Sequence, residues 1–215
     1  AVWSVFSFGA KLKFNQIKMQ NIYFVTTNKN KFERAQKSLS EFGIKIEQID
    51  IELAESRSEN PRDIVKEKAE QAFQKLQKPL IVEDSGFFID ALGGFPMTHI
   101  KFSLTTLGIG KILKAMAGEK NRHAEWRMAA AYVDENGKTE IFEFIEGGDI
   151  SKEAKENLRS SDTTMSEYWK IFVPTEANPR NLALSEMVDN DLELQMKFFN
   201  KNNQFAQLGQ WLSKK

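Results

Sequence analysis

Between Asn21 and Val82, short apolar runs alternate with stretches of helical spacing, and this alternation leaves few folds open to the chain. Residues 21–26 form a brief apolar run of the buried-strand type. Phe32, Ala35, Leu39 and Phe42 then recur at i, i+3, i+7 and i+10, and Gly43 stands where a helix-ending glycine would. A second strand is expected over 45–50. Asn60-Pro61 is a cap and first-turn pair for a helix whose buried stripe is Val65, Ala69, Ala72, Phe73 and Leu76. Pro79 ends that helix, and Leu80 to Val82 begins a third strand. The order βαβαβ requires crossover helices packed on a sheet.

Further along, 86–98 is rich in Gly, Phe and Pro, and 102–116 reads as mostly helical, stopped by Gly118. Two longer strands, 124–133 and 139–150, flank Asn136-Gly137, a strong hairpin signal that makes the sheet mixed. Residues 151–168 read as polar loop or broken helix and 171–173 as a last strand. Helices are expected over 182–199 and 205–212. The fold class is therefore α/β: a central mixed, twisted sheet with flanking helices, in two lobes around a cleft. Residues 1–18 are set aside as a leader or N-terminal extension, and 19–215 as one domain.

Bulk properties remove several alternatives. Thirty basic and thirty acidic residues cancel in 215, so a general nucleic-acid-binding coat is not expected. No apolar run approaches the ~20 residues of a membrane helix. Cysteine is absent, which excludes disulfides and a thiol nucleophile and fits a reducing compartment such as the cytoplasm. Two distant histidines do not suit a zinc site.

Four segments carry chemistry. Thr26-Thr27-Asn28-Lys29-Asn30-Lys31 joins the first strand to the first helix, and free N–H groups and the helix dipole at such a turn attract anions. A solvated turn with surface lysines has the same pattern. Glu83-Asp84-Ser85-Gly86 reads as the end of the third strand before a glycine turn, where open α/β sheets hold ligands. Alternation sends the two carboxylates to opposite faces, so one of them faces the cleft. A carboxylate there holds Mg2+ and orients a water, or caps a turn. Glu52, Glu55 and Glu59 follow the second strand, and the residues alone do not choose a metal ligand among them. In Gly93 to Lys101, paired glycines and a proline demand a special backbone path that can bring the Lys101 charge into the cleft.

Taken in order, these pieces resemble the inosine triphosphate pyrophosphatase family. Thr26, Asn28 and Lys31 match its T-x-N-x-x-K loop. Residues 50–55 are similar to its metal-binding segment, which selects Glu55. Residues 82–86 match its acidic strand end, which selects Asp84, with Ser85 and Gly86 beside it. Residues 91–101 are similar to its A-L-G-G-x-P-G-x-Y-I-K stretch, ending in Lys101. Met97 replaces a family glycine and His99 an aromatic. If that glycine needs a positive φ, methionine is strained there or the backbone differs. Of the family's base-seating stretch only Tyr168 remains, and Met196-Lys197-Phe198 stands where an S-H-R triplet reads the purine.

The resemblance implies an enzyme that hydrolyses nucleoside triphosphates to monophosphate and pyrophosphate. Asp84, Lys31 and Lys101 are its catalytic groups, and Glu55 and Asp84 hold Mg2+. Thr26, Asn28, Lys31, Ser85, Gly86, Lys101 and Tyr168 contact substrate. It also implies a homodimer. The altered C-terminal positions imply a base preference moved away from inosine and xanthosine. A non-hydrolytic nucleotide-binding or regulatory protein of the same fold is the alternative, and released pyrophosphate separates the two.

Overall fold

The computed structural model describes residues 21–54, 56–156, 158 and 166–215. The proposed leader and Glu55 lie outside the described residues. Seven strands form one sheet in the order β2-β1-β3-β5-β6-β7, with β4 paired to β3 off this path. β1 (Ile22–Val25) pairs in parallel with β2 (Ile46–Ile49) and with β3 (Leu80–Ile89). The short β4 (Pro96–Met97), β5 (His123–Val133), β6 (Thr139–Ile150) and β7 (Phe172–Pro174) are antiparallel to their neighbours. The parallel half carries the crossover helices α1 (Lys29–Ser40) and α2 (Pro61–Leu76), and the antiparallel half follows from the hairpin at Gly137. The mixed α/β sheet read from the sequence is therefore observed.

Each face of the sheet is covered by helices whose apolar stripes face it. α2 lays Val65, Ala69 and Ala72 against Val82, Ala129 and Ala131, with Phe73 and Leu76 at the margin. On the other face, Ala35 and Leu39 of α1 pack with Phe24, Ile81 and Ala130, joined by Phe205 and Leu208 of α6 (Gln204–Leu212). Burying a side chain such as Leu39 completely contributes about 2 kcal/mol. A third cluster, around Phe87, Trp126, Tyr168 and Phe172, fills the antiparallel end beneath α3 (Ile100–Thr106), α4 (Gly108–Ala115) and α5 (Asp189–Asn202).

Three local expectations are corrected. β3 does not end at Asp84 but runs on to Ile89. Gly86 is a strand residue: a Cβ there would lie 2.7 Å from the Phe88 ring and 2.9 Å from the Met97 carbonyl, so the glycine serves close packing against β4 rather than a turn. The mostly helical stretch over 102–116 is divided into two helices, because Gly108 adopts φ +71° where α3 gives way to α4. The helix expected from residue 182 begins at Asp189. Ala183, Leu184, Ser185 and Met187 are all buried, which leaves that stretch no solvent face, and it forms a single 3-10 turn instead.

Candidate functional site

The turn after β1 is braced by its own side chains. Asn28 caps α1, its Oδ1 accepting from the Lys31 backbone N–H at 3.2 Å. The Asn28 N–H in turn donates to Thr26 Oγ1 at 3.1 Å. Both side chains thus shape the loop, while the first N–H groups of α1 lack helical partners and the dipole favours an anion there. One turn into the helix, Lys31 reaches back over the sheet. Its Nζ lies 2.6 Å from Glu83 Oε2, and the Glu83 side chain is almost wholly buried. Burial by itself would lower the Lys31 pKa, but the charges of Glu83 and then Asp84 outweigh it and leave the ammonium raised.

Strand alternation decides what shares this face. Glu83, Ser85 and Phe87 stand opposite Ala130, Met128 and Trp126 of β5, and Trp126 stands opposite Glu146 of β6. Above them lies a cavity of about 280 Å³. Asn28, Lys31, Arg34, Glu83 and Ser85 line one part of it. Trp126, Glu146, Trp169, Gln195, Met196 and Phe199 line another. The Glu146 register is four residues beyond Glu83, which is about 13 Å along the strands. A charged, N–H-rich end therefore continues into an end walled by aromatic, apolar and amide groups.

Asp84 points to the other face. Its Oδ2 pairs with Lys68 of α2, and its Oδ1 accepts from the Ser85 N–H at 2.7 Å. The structure thus brings Asn28, Lys31 and Ser85 to one cavity together with Glu83, and puts Asp84 through the sheet from them beside Lys68. Neither Glu83 nor Lys68 was singled out from sequence as the partner it is. The i, i+4 relation of Lys68 to Ile64 and Ala72 on the sheet-facing side of α2 was the available signal. On the Asp84 side a broader, open cleft of about 640 Å³ is lined by Ser58, Glu59, Asn60, Phe88, Asp90 and Arg127, among others.

The remaining positions fall differently. Gly86 is buried under Phe88 and Met97 and offers no surface to a ligand. Lys101 is exposed on the first turn of α3 and lines neither cavity. Met97 does adopt φ +55°, so the backbone path keeps its shape and the methionine carries a strain of about 1 kcal/mol. Tyr168 corrects the expectation of a base-seating aromatic: it is fully buried, with its hydroxyl 2.8 Å from Ser103 Oγ and its ring 4.6 Å from that of Phe87. Burial pushes its phenol up to about 12. Trp169, the next residue, lines the cavity instead. Among the described residues no cluster of three His, Cys, Asp or Glu side chains is placed to hold a metal.

An α/β sheet with an anion-attracting turn opening into a cavity of mixed charge and aromaticity defines a class of small-ligand proteins built at sheet edges. Residues 22–193 match the Ham1 family, and the chain belongs to that family. This is the family its motifs resemble. The chain is 33% identical over 153 residues to a dITP/XTP pyrophosphatase of Methanopyrus kandleri, covering 71% of this chain and 78% of that protein. It is 31% identical over 183 residues to a dITP/XTP pyrophosphatase of Ignicoccus hospitalis, covering 85% and 94%. Among solved structures, a HAM1 protein from Coxiella burnetii superposes with TM-score 0.70 at 21% identity, over 91% of this chain and 98% of that one. The Staphylococcus aureus Ham1 protein gives 0.69 at 17%, over 91% and 99%. No helix among the described residues is long and apolar enough to cross a membrane.

Proposed function

We propose that the chain hydrolyses nucleoside triphosphates to monophosphate and pyrophosphate, with a base preference moved away from inosine and xanthosine. The observation that carries this reading is the cavity that joins the α1 N-terminus and Lys31 to an aromatic and amide wall. Phosphate oxygens suit the first, and a base suits the second. The names of the relatives support the same reaction class. In this scheme Thr26 and Asn28 hold the loop and Lys31 and Ser85 meet the phosphates, with Lys101 of α3 as a further expected phosphate contact. Asp84 is the base of this scheme. With Asp84 on the opposite face from Lys31, the triphosphate must reach from the cavity to the cleft on the Asp84 face. There the carboxylate takes the proton of the attacking water as the new bond forms at the α-phosphorus and pyrophosphate leaves. Lys68, paired with Asp84, holds that carboxylate in place. A lysine 4 Å from a phosphate oxygen contributes about 4 kcal/mol at an effective dielectric near 20, enough to matter to the barrier.

Asp84 is an oxygen donor of the kind Mg2+ takes, and one or two carboxylates with substrate phosphates complete such a shell; here its Oδ2 is paired with Lys68, which would have to give way to the ion. Glu55 is the second expected ligand. Bound there, Mg2+ neutralises phosphate charge and polarises the attacked centre. The test is product analysis of wild-type protein and Asp84→Asn with Mg2+ and with chelator. Wild type should give monophosphate and pyrophosphate, and Asp84→Asn should lose roughly 100-fold or more in kcat while still binding nucleotide. Normal turnover in the variant or in chelator contradicts the assignment. Binding with no pyrophosphate from the wild type selects a non-hydrolytic role.

A further inference from the structure

Lys31, Arg34 and Ser38 recur at i, i+3 and i+7 and so share one stripe of α1. Both ends of that stripe turn inward. Lys31 reaches the buried Glu83, and the buried Ser38 Oγ accepts from Asn203 Nδ2, at the junction of α5 and α6, at 3.1 Å. Arg34 stands between them, an exposed residue that lines the same cavity as Lys31. The charges around that cavity do not balance. Lys31, Arg34, Glu83 and Glu146 are the ionisable side chains that line it. Lys31 and Glu83 neutralise each other at 2.6 Å. Glu146 is buried against Gln195, its hydrogen-bond partner, and burial pushes its carboxyl up to about 7. The Arg34 guanidinium has no ion-pair or hydrogen-bond partner among the described residues. With Glu146 protonated, one positive charge is left over, and a guanidinium cannot shed it. Lys31 registers that charge: burial lowers its pKa, Glu83 and then Asp84 raise it, and Arg34 lowers it. Two cations on successive turns of α1 therefore repel each other, and an anion that reaches both relieves the repulsion.

We propose that Arg34 is a substrate-binding residue that joins Lys31 in holding the phosphate groups of the nucleotide. This assignment rests on the nucleotide reading above. Lys31 brings Glu83 with it as a neutral pair, so its charge is already met within the protein, whereas that of Arg34 is not. A guanidinium is a planar fork that gives two parallel N–H bonds to the oxygens of one phosphate, while the Lys31 ammonium acts as a point charge beside it. Phosphate suits this place better than the edge of a base. A base offers neutral acceptors and leaves the surplus charge standing, and a phosphate neutralises it.

The test separates phosphate from base. The α,β-methylene analogues of uridine and inosine triphosphate are titrated into wild type, Arg34→Gln and Arg34→Lys, beside the parent nucleosides uridine and inosine. Arg34→Gln should weaken the triphosphate analogues by roughly tenfold or more and leave the nucleosides unchanged. Arg34→Lys, which keeps the charge and loses the fork, should fall between. Analogue binding should also depend less steeply on salt in Arg34→Gln than in wild type. The melting temperature of Arg34→Gln should hold or rise, because a repulsion with Lys31 is gone, so lost folding cannot imitate the result. An Arg34→Gln protein that binds the analogues as tightly as wild type overturns the proposal. So does one that loses nucleoside and triphosphate affinity by the same factor, which would assign Arg34 to the base or sugar instead. A wild type that binds neither analogue is a different outcome, and removes the nucleotide reading together with this assignment.

Discussion

At the α1 end of the cavity the groups that meet an anion come from one strand–helix turn and the adjacent strand, whereas at the Trp169 end they come from β5, β6, α5 and the turn before β7. The first end depends largely on backbone: free N–H groups, a dipole, and an asparagine cap that fixes the turn. The second depends on side-chain identity, on whether position 146 carries an acid and 195 an amide. A backbone site survives sequence change so long as the turn forms. A side-chain site is re-cut by a few substitutions, and the same fold then serves a different ligand edge.

The strongest way to break that comparison is at Lys31. Lys31→Met should abolish measurable turnover and also destabilise the protein by about 4 kcal/mol, because it leaves Glu83 buried without its cation. Adding Glu83→Gln should restore much of the stability, read by urea denaturation, and none of the turnover. Equal recovery of both would mean that the pair is structural and that the anion end lies elsewhere.

At the other end the comparison is sharpened by pH. In the folded chain Glu146 holds its proton up to about 7, against an ordinary value of 4.5. Between those values the folded state binds more protons than the unfolded, so this residue's contribution to stability rises as pH falls from 7 toward 4.5 and levels off below. The full effect is about 3 kcal/mol at most. It should appear as a difference between wild type and Glu146→Gln, which cannot titrate. Parallel pH profiles for the two proteins would mean that Glu146 is better solvated than its burial implies.

The difference between the two ends also explains what could be read in the sequence. The βαβαβ order, the Asn60 cap and the hairpin at Gly137 were legible, since each is written in local periodicity and turn chemistry. So was the loop from Thr26 to Lys31, whose functional groups are neighbours in the chain. Alternation along β3 separated Glu83 from Asp84, but it could not say that α1 covers the Glu83 face and α2 the Asp84 face. That choice is tertiary. Gly86 read as a turn because its reason, the close approach of β4, lies eleven residues away at Met97. Tyr168 read as a ligand contact and Trp169 did not, because a 3-10 turn assigns neighbouring side chains to core or cavity by a rotation that periodicity does not reveal. Glu146 and Gln195 carried no signal singly. Their meaning lies in facing each other.

The central claim, an anion end retained and a base end re-cut, is tested most directly by the wild-type kcat/KM for pyrophosphate release across a panel of triphosphates. The panel should include inosine, xanthosine and amino-bearing bases, all with Mg2+. The account predicts pyrophosphate from several members, with neither inosine nor xanthosine triphosphate the best of them. A preference for inosine or xanthosine triphosphate of about 100-fold over every other nucleotide would contradict it.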